Sequence, residues 1–345
     1  MVIGAFQFGV CLQASAHQPS RRAHRPCVFS TSHVEGRVMN RPMLRAAALS
    51  AVASLGLASA AQAELIYGMT AANSLSTSPG LGLVSFDSAT PGTINTIGAF
   101  TGVVAGQSVR SIDFRPATGE LWALSTGTAG AAQLYTVDLG TAALTPVGAG
   151  LTLTGATSVV AEMDFNPAVD RIRIVTSNTA GSNNFRANPN DGALVAVDST
   201  LAPATLVIGA AYSNNVPGAP GGTTLYAWDY TNDALVTIGG INGTPSPNLG
   251  AVTNVNVPAG FLTFNAGFGM DISGATNTLY ATRDNPVNGA SMNLITRNLT
   301  TGAITPLGDY PAGVFISDIS VVVPEPTTLG LAGVAAMGLL RRRRA

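Results

Sequence analysis

Four aspartates occupy one position of a repeated phrase. The phrase has an apolar residue beside the aspartate and reads Ser111-Ile-Asp113-Phe-Arg-Pro116, Met163-Asp164-Phe-Asn-Pro167, Met270-Asp271-Ile-Ser273 and Ser317-Asp318-Ile-Ser320. If the copies repeat one structural unit, their carboxylates lie at equivalent places, and carboxylate oxygens are ligands that Ca²⁺ takes in proteins. One hypothesis is therefore a calcium site. The other is that each aspartate caps a turn or bonds a backbone amide between repeats.

Three arginines form the densest basic group of the chain's middle. Arg171 and Arg173 share one face of a predicted strand, because side chains alternate with a period of two, and Arg186 follows shortly after. Guanidinium groups at this spacing could grip a carboxylate or an acidic sugar. The alternative is ion pairing of these arginines with neighbouring acids, namely Asp164, Asp170 or Asp191.

Much other chemistry is excluded by residue type. All basic residues are Arg, and His17, His24, His33, Cys11 and Cys27 all lie within the first 33 residues. Residues 64–323 therefore offer no Cys nucleophile, His base, Cys/His zinc site or Lys Schiff base. Seven Arg and sixteen Asp or Glu give this span a net charge of −9, which disfavours binding to nucleic acid.

A second phrase predicts hairpins. A polar residue, a short turn and an apolar alternation recur five times, starting at Asp87, Asp138, Asn188, Asp229 and Asn298. Asp, Asn, Gly and Thr favour turns, and alternation is typical of half-buried strands.

The repeats together predict an all-β fold. A period of about 50 residues with four short strands is typical of a β-propeller blade. We expect about five four-stranded blades, closed where a strand at Asp318–Val323 joins the blade begun by Leu65–Gly98. The stretch 242–266 is either a long loop or a degenerate extra blade, and an open sandwich or a β-solenoid remains an alternative.

The chain's start predicts export. Residues 39–63 have Arg41 and Arg45, then an Ala/Leu-rich run, then Ala61-Gln62-Ala63, which fits a signal peptide cleaved before Glu64. The expected partners are the Sec translocon and signal peptidase. Residues 1–38 are interpreted as a mis-annotated, disordered leader, with Met39 or Met43 as the true start.

The chain's end predicts sorting. Residues 324–345 contain Pro324-Glu325-Pro326, a short apolar run expected to form a hydrophobic helix, and Arg341, Arg342, Arg343 and Arg344. These three parts resemble the PEP-CTERM sorting domain. The resemblance implies processing by an exosortase-type protease, transient anchoring in the inner membrane, and a final place at the cell surface or outside a Gram-negative cell that makes extracellular polysaccharide. A plain tail anchor is the alternative.

The span 64–323 resembles a family known as domain of unknown function 4394. The likeness rests on Leu65-Ile-Tyr-Gly, Ser111-Ile-Asp-Phe-Arg-Pro, Met163-Asp-Phe-Asn-Pro, Asn184-Phe-Arg-Ala-Asn-Pro and Thr224-Leu-Tyr-Ala-Trp-Asp. It supports the repeat architecture and implies no activity.

The sequence therefore predicts an exported surface or matrix protein with a non-catalytic binding or scaffold propeller, no nucleic-acid partner and no required cofactor, calcium being the one candidate. Extracellular polysaccharide is a candidate partner. The alternatives are a calcium-dependent propeller enzyme acting on sugars or lactones, and a passive carrier domain.

Overall fold

A computed structural model describes residues 63–75, 78–155, 160–178, 181–255, 269–284, 291–301 and 303–323. The described chain is all-β, with three short 3-10 segments at Thr128–Gly130, Ile241–Gly243 and Pro247–Leu249. Within these ranges no helix has the length and apolar character needed to cross a membrane. The leader 1–38, nearly all of the signal peptide and the sorting segment with its expected helix lie outside the described residues.

Both ends of the described chain contribute to the first group of strands, here called sheet I. Its order is β20-β1-β2-β3, all antiparallel, with strands β1 (Leu65–Ala71), β2 (Gly80–Asp87), β3 (Ile94–Ala99) and β20 (Phe315–Val321). The pairing of β1 with β20 confirms that the last strand joins the sheet begun by the first.

Sheet II follows along the chain and is continuous with sheet I. It has the order β4-β5-β6-β7, with strands β4 (Gln107–Phe114), β5 (Leu121–Gly127), β6 (Ala131–Val137) and β7 (Leu144–Thr152). One residue pair, Gly80 with Val109, joins β2 to β4, so that the two groups form one eight-stranded sheet.

Three further antiparallel sheets have four strands each. Sheet III is β8 (Val160–Asn166), β9 (Arg171–Asn178), β10 (Gly181–Ala187) and β11 (Leu194–Val197). Sheet IV is β12 (Val207–Tyr212), β13 (Leu225–Asp229), β14 (Ala234–Ile238) and β15 (Val252–Asn254). Sheet V is β16 (Met270–Ile272), β17 (Leu279–Asp284), β18 (Met292–Arg297) and β19 (Ile304–Asp309).

The five predicted hairpins are present and share one turn device. At each turn the side-chain oxygen of the first Asp or Asn accepts a backbone N–H two residues later, at 2.7–3.3 Å, the acceptors being Asp87, Asp138, Asn188, Asp229 and Asn298. This Asx turn favours a tight reversal, which explains the residue types. Four of the turns join the third and fourth strands of a sheet, but Asp229 joins the second and third.

The stretch 242–266, as far as the structure describes it, is a loop with one strand. Within the described part of 242–255 it holds 3-10 turns and then β15, the fourth strand of sheet IV. This finding favours the extended loop over the extra blade for that part. Residues 256–268 lie outside the description.

The apolar core lies between sheets. One cluster joins sheets I and II around Leu83 and Ile112, and another joins II and III around Trp122 and Phe165. Val175 packs with sheet IV, while sheet IV meets V around Trp228 and Met270. A fifth cluster joins sheet V back to sheet I through Met292, Leu294, Ile66 and Phe86. Each described sheet is therefore held by apolar contacts on both faces.

Candidate functional site

The four repeated aspartates lie close together, each on the first strand of its sheet. Asp113 lies on β4, Asp164 on β8, Asp271 on β16 and Asp318 on β20. All four are buried, and one carboxylate oxygen from each of Asp113, Asp164 and Asp271 lies within 4.8 Å of the others. Residues at equivalent positions of the repeat thus lie close together in the folded protein.

Each carboxylate also joins its strand to a neighbouring sheet. Asp113 Oδ2 accepts the Phe165 N–H at 2.8 Å, and Asp164 Oδ1 accepts the Tyr212 N–H at 3.0 Å. These bonds link sheet II to III and sheet III to IV. Buried backbone N–H groups that do not pair inside their own sheet need such acceptors.

Hydrogen bonds of the same kind link sheet V to sheet I and sheet I to sheet II. Asp271 Oδ2 accepts the Val321 N–H at 2.6 Å, and Asp318 Oδ2 accepts the Ile112 N–H at 2.8 Å. Ser320 Oγ accepts the Phe114 N–H at 3.0 Å and lies 2.9 Å from Asp113 Oδ1. These bonds give the aspartates the backbone-bonding role that was the alternative to metal binding.

Sheet IV carries no aspartate at the equivalent position. In the strand register, Asp164 lies opposite Arg173 and Asp271 lies opposite Tyr280. Ala211 of β12 has the equivalent position, opposite Tyr226. Its methyl group is buried in the cluster between sheets IV and V. The register therefore has four carboxylates and one alanine on the first strands of the five sheets, β20, β4, β8, β12 and β16.

Burial makes the ionised form of these acids unfavourable. It raises the pKa of Asp113 and Asp164 well above the usual range, and neighbouring carboxylates raise it further. Burial also raises the pKa of both Asp271 and Asp318 to about 7, against the opposing effect of the N–H groups that they accept. Glu162, which the sequence did not single out, is buried nearby, and burial and Asp318 raise its pKa.

The donor set is chemically suited to a hard cation, since it consists of oxygens only. Yet each aspartate already directs one oxygen to a backbone N–H, which leaves fewer lone pairs for a metal. The hydrogen bonds account for the register by themselves. The calcium site at Asp113, Asp164, Asp271 and Asp318 stays a prediction.

The three predicted arginines meet in a cavity of about 410 Å³ at one side of sheets III and IV. Arg171 and Arg173 reach it from β9, as the strand period predicts, and Arg186 reaches it from β10. Tyr212 of β12 and Asn248 of the loop before β15 also line the cavity.

The ion pairs of these arginines differ from the expected ones. Asp198, which follows β11, receives Arg173 Nη1 at 2.7 Å and a two-pronged contact from Arg186 at 2.7 and 2.9 Å. Asp170 pairs with Arg115 instead. The expectation that Asp164, Asp170 or Asp191 would be the partner is wrong, because Asp198 directly follows β11 and its N–H donates to the Asn184 oxygen of β10, which places its carboxylate beside Arg173 and Arg186.

Arg173 is the best anchored of the three. It is buried, and besides Asp198 its guanidinium donates to Asn184 Oδ1 and Asn248 Oδ1, each at 2.7 Å. Asn248 lies in the long insertion after Asp229, where no repeat pattern marks it. Asp198 ends a looser copy of the hairpin phrase, and nothing in that phrase marks it as an ion-pair partner.

The repeat-strand aromatics are buried in the core. Trp122, Tyr135, Trp228, Tyr226 and Tyr280 are each at most 8% exposed. Trp122 meets Phe165 edge to face at 5.6 Å across sheets II and III, and Arg297 lies 4.5 Å from the centre of the Trp228 ring. They therefore fill the space between sheets and present no platform to a sugar.

The predicted cleavage point adjoins the folded part. The Glu64 backbone N–H donates to Ser88 Oγ at 2.9 Å, and β1 begins at the next residue. Ala63 is exposed, which suits a processing site. Ala61, Pro324, Glu325, Pro326 and the arginines 341–344 lie outside the described residues.

Comparison with known families finds two matches. The model described as Domain of unknown function (DUF4394) matches residues 82–320, and the PEP-CTERM protein-sorting motif matches residues 322–344. The second match supports an exported protein that is sorted by an exosortase and held transiently at the membrane. No curated protein matches the chain.

Solved structures resemble the chain only distantly. TolB from Acinetobacter baumannii is 13% identical with a TM-score of 0.36, over 72% of this chain and 53% of that one, so the match spans about half of TolB. A putative 6-phosphogluconolactonase from Bacteroides uniformis is 14% identical (TM-score 0.39; 72% and 83% covered). A putative exo-beta-1,3-galactanase from Bifidobacterium bifidum is 11% identical (TM-score 0.42; 70% and 86% covered).

Proposed function

The chain belongs to the family described as Domain of unknown function (DUF4394), and on that premise we propose an exosortase-processed surface or matrix protein whose domain binds and does not catalyse. Its expected partner outside the cell is extracellular polysaccharide. In this proposal the domain at residues 64–323 binds the partner, and the two ends direct export and sorting.

The proposal includes a closed ring of five blades formed by sheets I to V. Support comes from the clusters between successive sheets, the last of which joins sheet V back to sheet I. The inter-sheet bonds of Asp271 and Asp318 support the same closure, since they tie β16 to β20 and β20 to β4. A ring of this kind protects the innermost edges of its sheets.

One observation carries the binding proposal. The repeated carboxylates, which are the domain's candidates for acid–base chemistry, are at most 3% exposed and bond backbone amides. The open cavity instead presents guanidinium and amide groups. A glycosidase needs two carboxyl groups that face a substrate across a cleft, and these carboxyl groups face one another inside the protein.

The test uses the exported, processed protein recovered from the cells that make it. We expect it to co-sediment with the extracellular polysaccharide of those cells, without releasing new reducing ends or opening lactones. Turnover that disappears when Asp113 or Asp271 is replaced by Asn would overturn the proposal in favour of an enzyme. Failure to co-sediment would leave the passive carrier as the better description.

Sorting gives a separate prediction. Glu325→Ala alters the centre of the Pro-Glu-Pro motif, and we expect the protein to stay unprocessed in the membrane fraction, because the protease no longer recognises the tail. Immunoblotting of membrane and medium fractions measures this. Thr327→Ala, two residues further along, is the matched control and should be processed normally. Equal processing of both variants would contradict the sorting role.

A further inference from the structure

The arginine-lined cavity carries an excess of positive charge. Arg171, Arg173 and Arg186 line it, and Asp198 is the one carboxylate that pairs with any of them among the described residues. Although burial opposes it, the hydrogen bonds from Arg186 and Arg173 lower the pKa of Asp198, so this carboxylate is ionised. Three cations against one anion leave a net positive site on a domain whose net charge is −9.

Arg171 is the cation left for a ligand. Its Nη1 donates to the backbone oxygen of Asp170 at 3.0 Å, and no carboxylate of the described chain lies within ion-pairing distance of it. The Asp170 carboxylate is taken by Arg115. Arg171 is half-buried at the cavity, where a charge is screened less than on an open surface.

The cavity wall is fixed before any ligand arrives. Asn184 Nδ2 donates to the Pro247 oxygen at 2.9 Å, and the Asn242 N–H donates to Thr224 Oγ1 at 2.9 Å. A Cβ added to Gly222 would stand 2.7 Å from Asn242 Cβ, so the loops of sheet IV are closely packed there. A wall that needs no ordering on binding retains more of the interaction energy as affinity.

We propose that this cavity binds the carboxylate of an acidic sugar, with Arg171 as the group that holds the carboxylate; the inference rests on the proposed binding function. A guanidinium matches a carboxylate with two parallel N–H···O bonds. A single available guanidinium suits a monoanion. The amide side chains of Asn166, Asn242 and Asn248 line the same space and can donate to and accept from hydroxyl groups. The volume of about 410 Å³ is in the range of small-ligand sites.

The experiment compares sugars that differ only in the carboxylate. The exported protein is titrated by calorimetry with D-glucuronate and D-galacturonate, and with D-glucose and D-galactose as their neutral matches. We expect a uronate to bind and its neutral match to bind at least about 10-fold more weakly, because a hydrogen-bonded charge pair is lost. Acetate and inorganic phosphate are separate titrations that distinguish a sugar site from a general anion site.

Variants of Arg171 test whether this residue accounts for the preference for uronates. Arg171→Gln should weaken uronate binding by about 10-fold or more with an unchanged melting temperature, and Arg171→Lys should also weaken it, because the forked geometry is lost. Arg110→Gln, on β4 outside the cavity lining, should bind like the wild type.

Several results would overturn the inference. These are no uronate binding by the folded wild type, equal binding of the neutral sugars, equal binding of acetate or phosphate, and unchanged affinity in Arg171→Gln. If the wild type and Arg171→Gln both co-sediment equally with the matrix polysaccharide, the binding function stands and this site is wrong. If neither co-sediments, the binding function itself has failed.

Discussion

The free energy of unfolding of the exported protein is expected to fall as the pH is raised from about 5 to about 8. Burial raises the pKa of Asp271 and Asp318 to about 7, so the folded state holds protons that the unfolded chain has already lost. Stability from such groups is complete below the unfolded pKa and is lost as the pH rises through the folded one. For Asp271 alone, the rise from 3.8 to about 7 corresponds to about 4 kcal/mol.

The window is free of histidine titration, since no His lies beyond His33. Urea unfolding at a series of pH values measures the slope. Asp271→Asn should flatten it, because the amide keeps an oxygen for the Val321 N–H but does not ionise. Asp138→Asn is the matched control: Asp138 is exposed, and hydrogen bonds from Thr141 and Gly140 lower its pKa, away from this window. Stability that is flat or rises between these pH values would contradict the prediction.

The same series tests the calcium hypothesis. If the four aspartates serve only the backbone, adding calcium or a chelator at about pH 8 leaves the unfolding free energy unchanged. A stabilisation by calcium that is absent in Asp271→Asn would instead support a metal at this cluster.

Gly269→Ala is expected to destabilise the domain by about 3 kcal/mol or more, near the upper end of overpacking costs. A Cβ at this position would stand 2.3 Å from Asp318 Cα and 2.8 Å from Ile319 N. These are backbone atoms of β20, which cannot turn aside as a side chain can. The substitution therefore pushes sheet V away from sheet I, where Asp271 bonds Val321.

Denaturant unfolding of the exported variant measures this effect. Gly140→Ala is the control, since its new Cβ would meet nothing nearer than Asp138 Oδ1 at 3.4 Å, on an exposed turn. Its stability should lie within about 0.5 kcal/mol of the wild type. A Gly269→Ala protein as stable as the Gly140→Ala protein would show that the two sheets do not pack as described.

The hairpin turns could be predicted because each turn is encoded by neighbouring residues. Asp138 and Asn298 each reverse the chain with a bond to an N–H two residues on, so the turn is visible in a short window of sequence. The position of a turn within its sheet is set by strand pairing at a distance. For that reason Asp229 resembled the other copies, yet it ends the second strand of its sheet.

The site was predicted less completely for the same reason. The alternation of Arg171 and Arg173 places both at one face, and both reach the cavity. Their partner Asp198 lies opposite Asn184 across the sheet, and Asn248 lies in a loop that is distant in sequence, so no local pattern encodes these contacts. The register of aspartates was visible, but their burial and their inter-sheet bonds depend on the assembled sheets.

The pairing of β1 with β20 sets the timing of folding during export. Leu65 accepts the Val322 N–H at 3.0 Å, so residues at opposite ends of the domain are direct neighbours. A chain that crosses the membrane from its amino end presents β1 early and must wait for nearly the whole domain before β20 arrives. Contacts of such long sequence separation form slowly. Until then the free edge of β1 is open to pairing with wrong strands, which makes this edge the part of the emerging chain most exposed to misfolding.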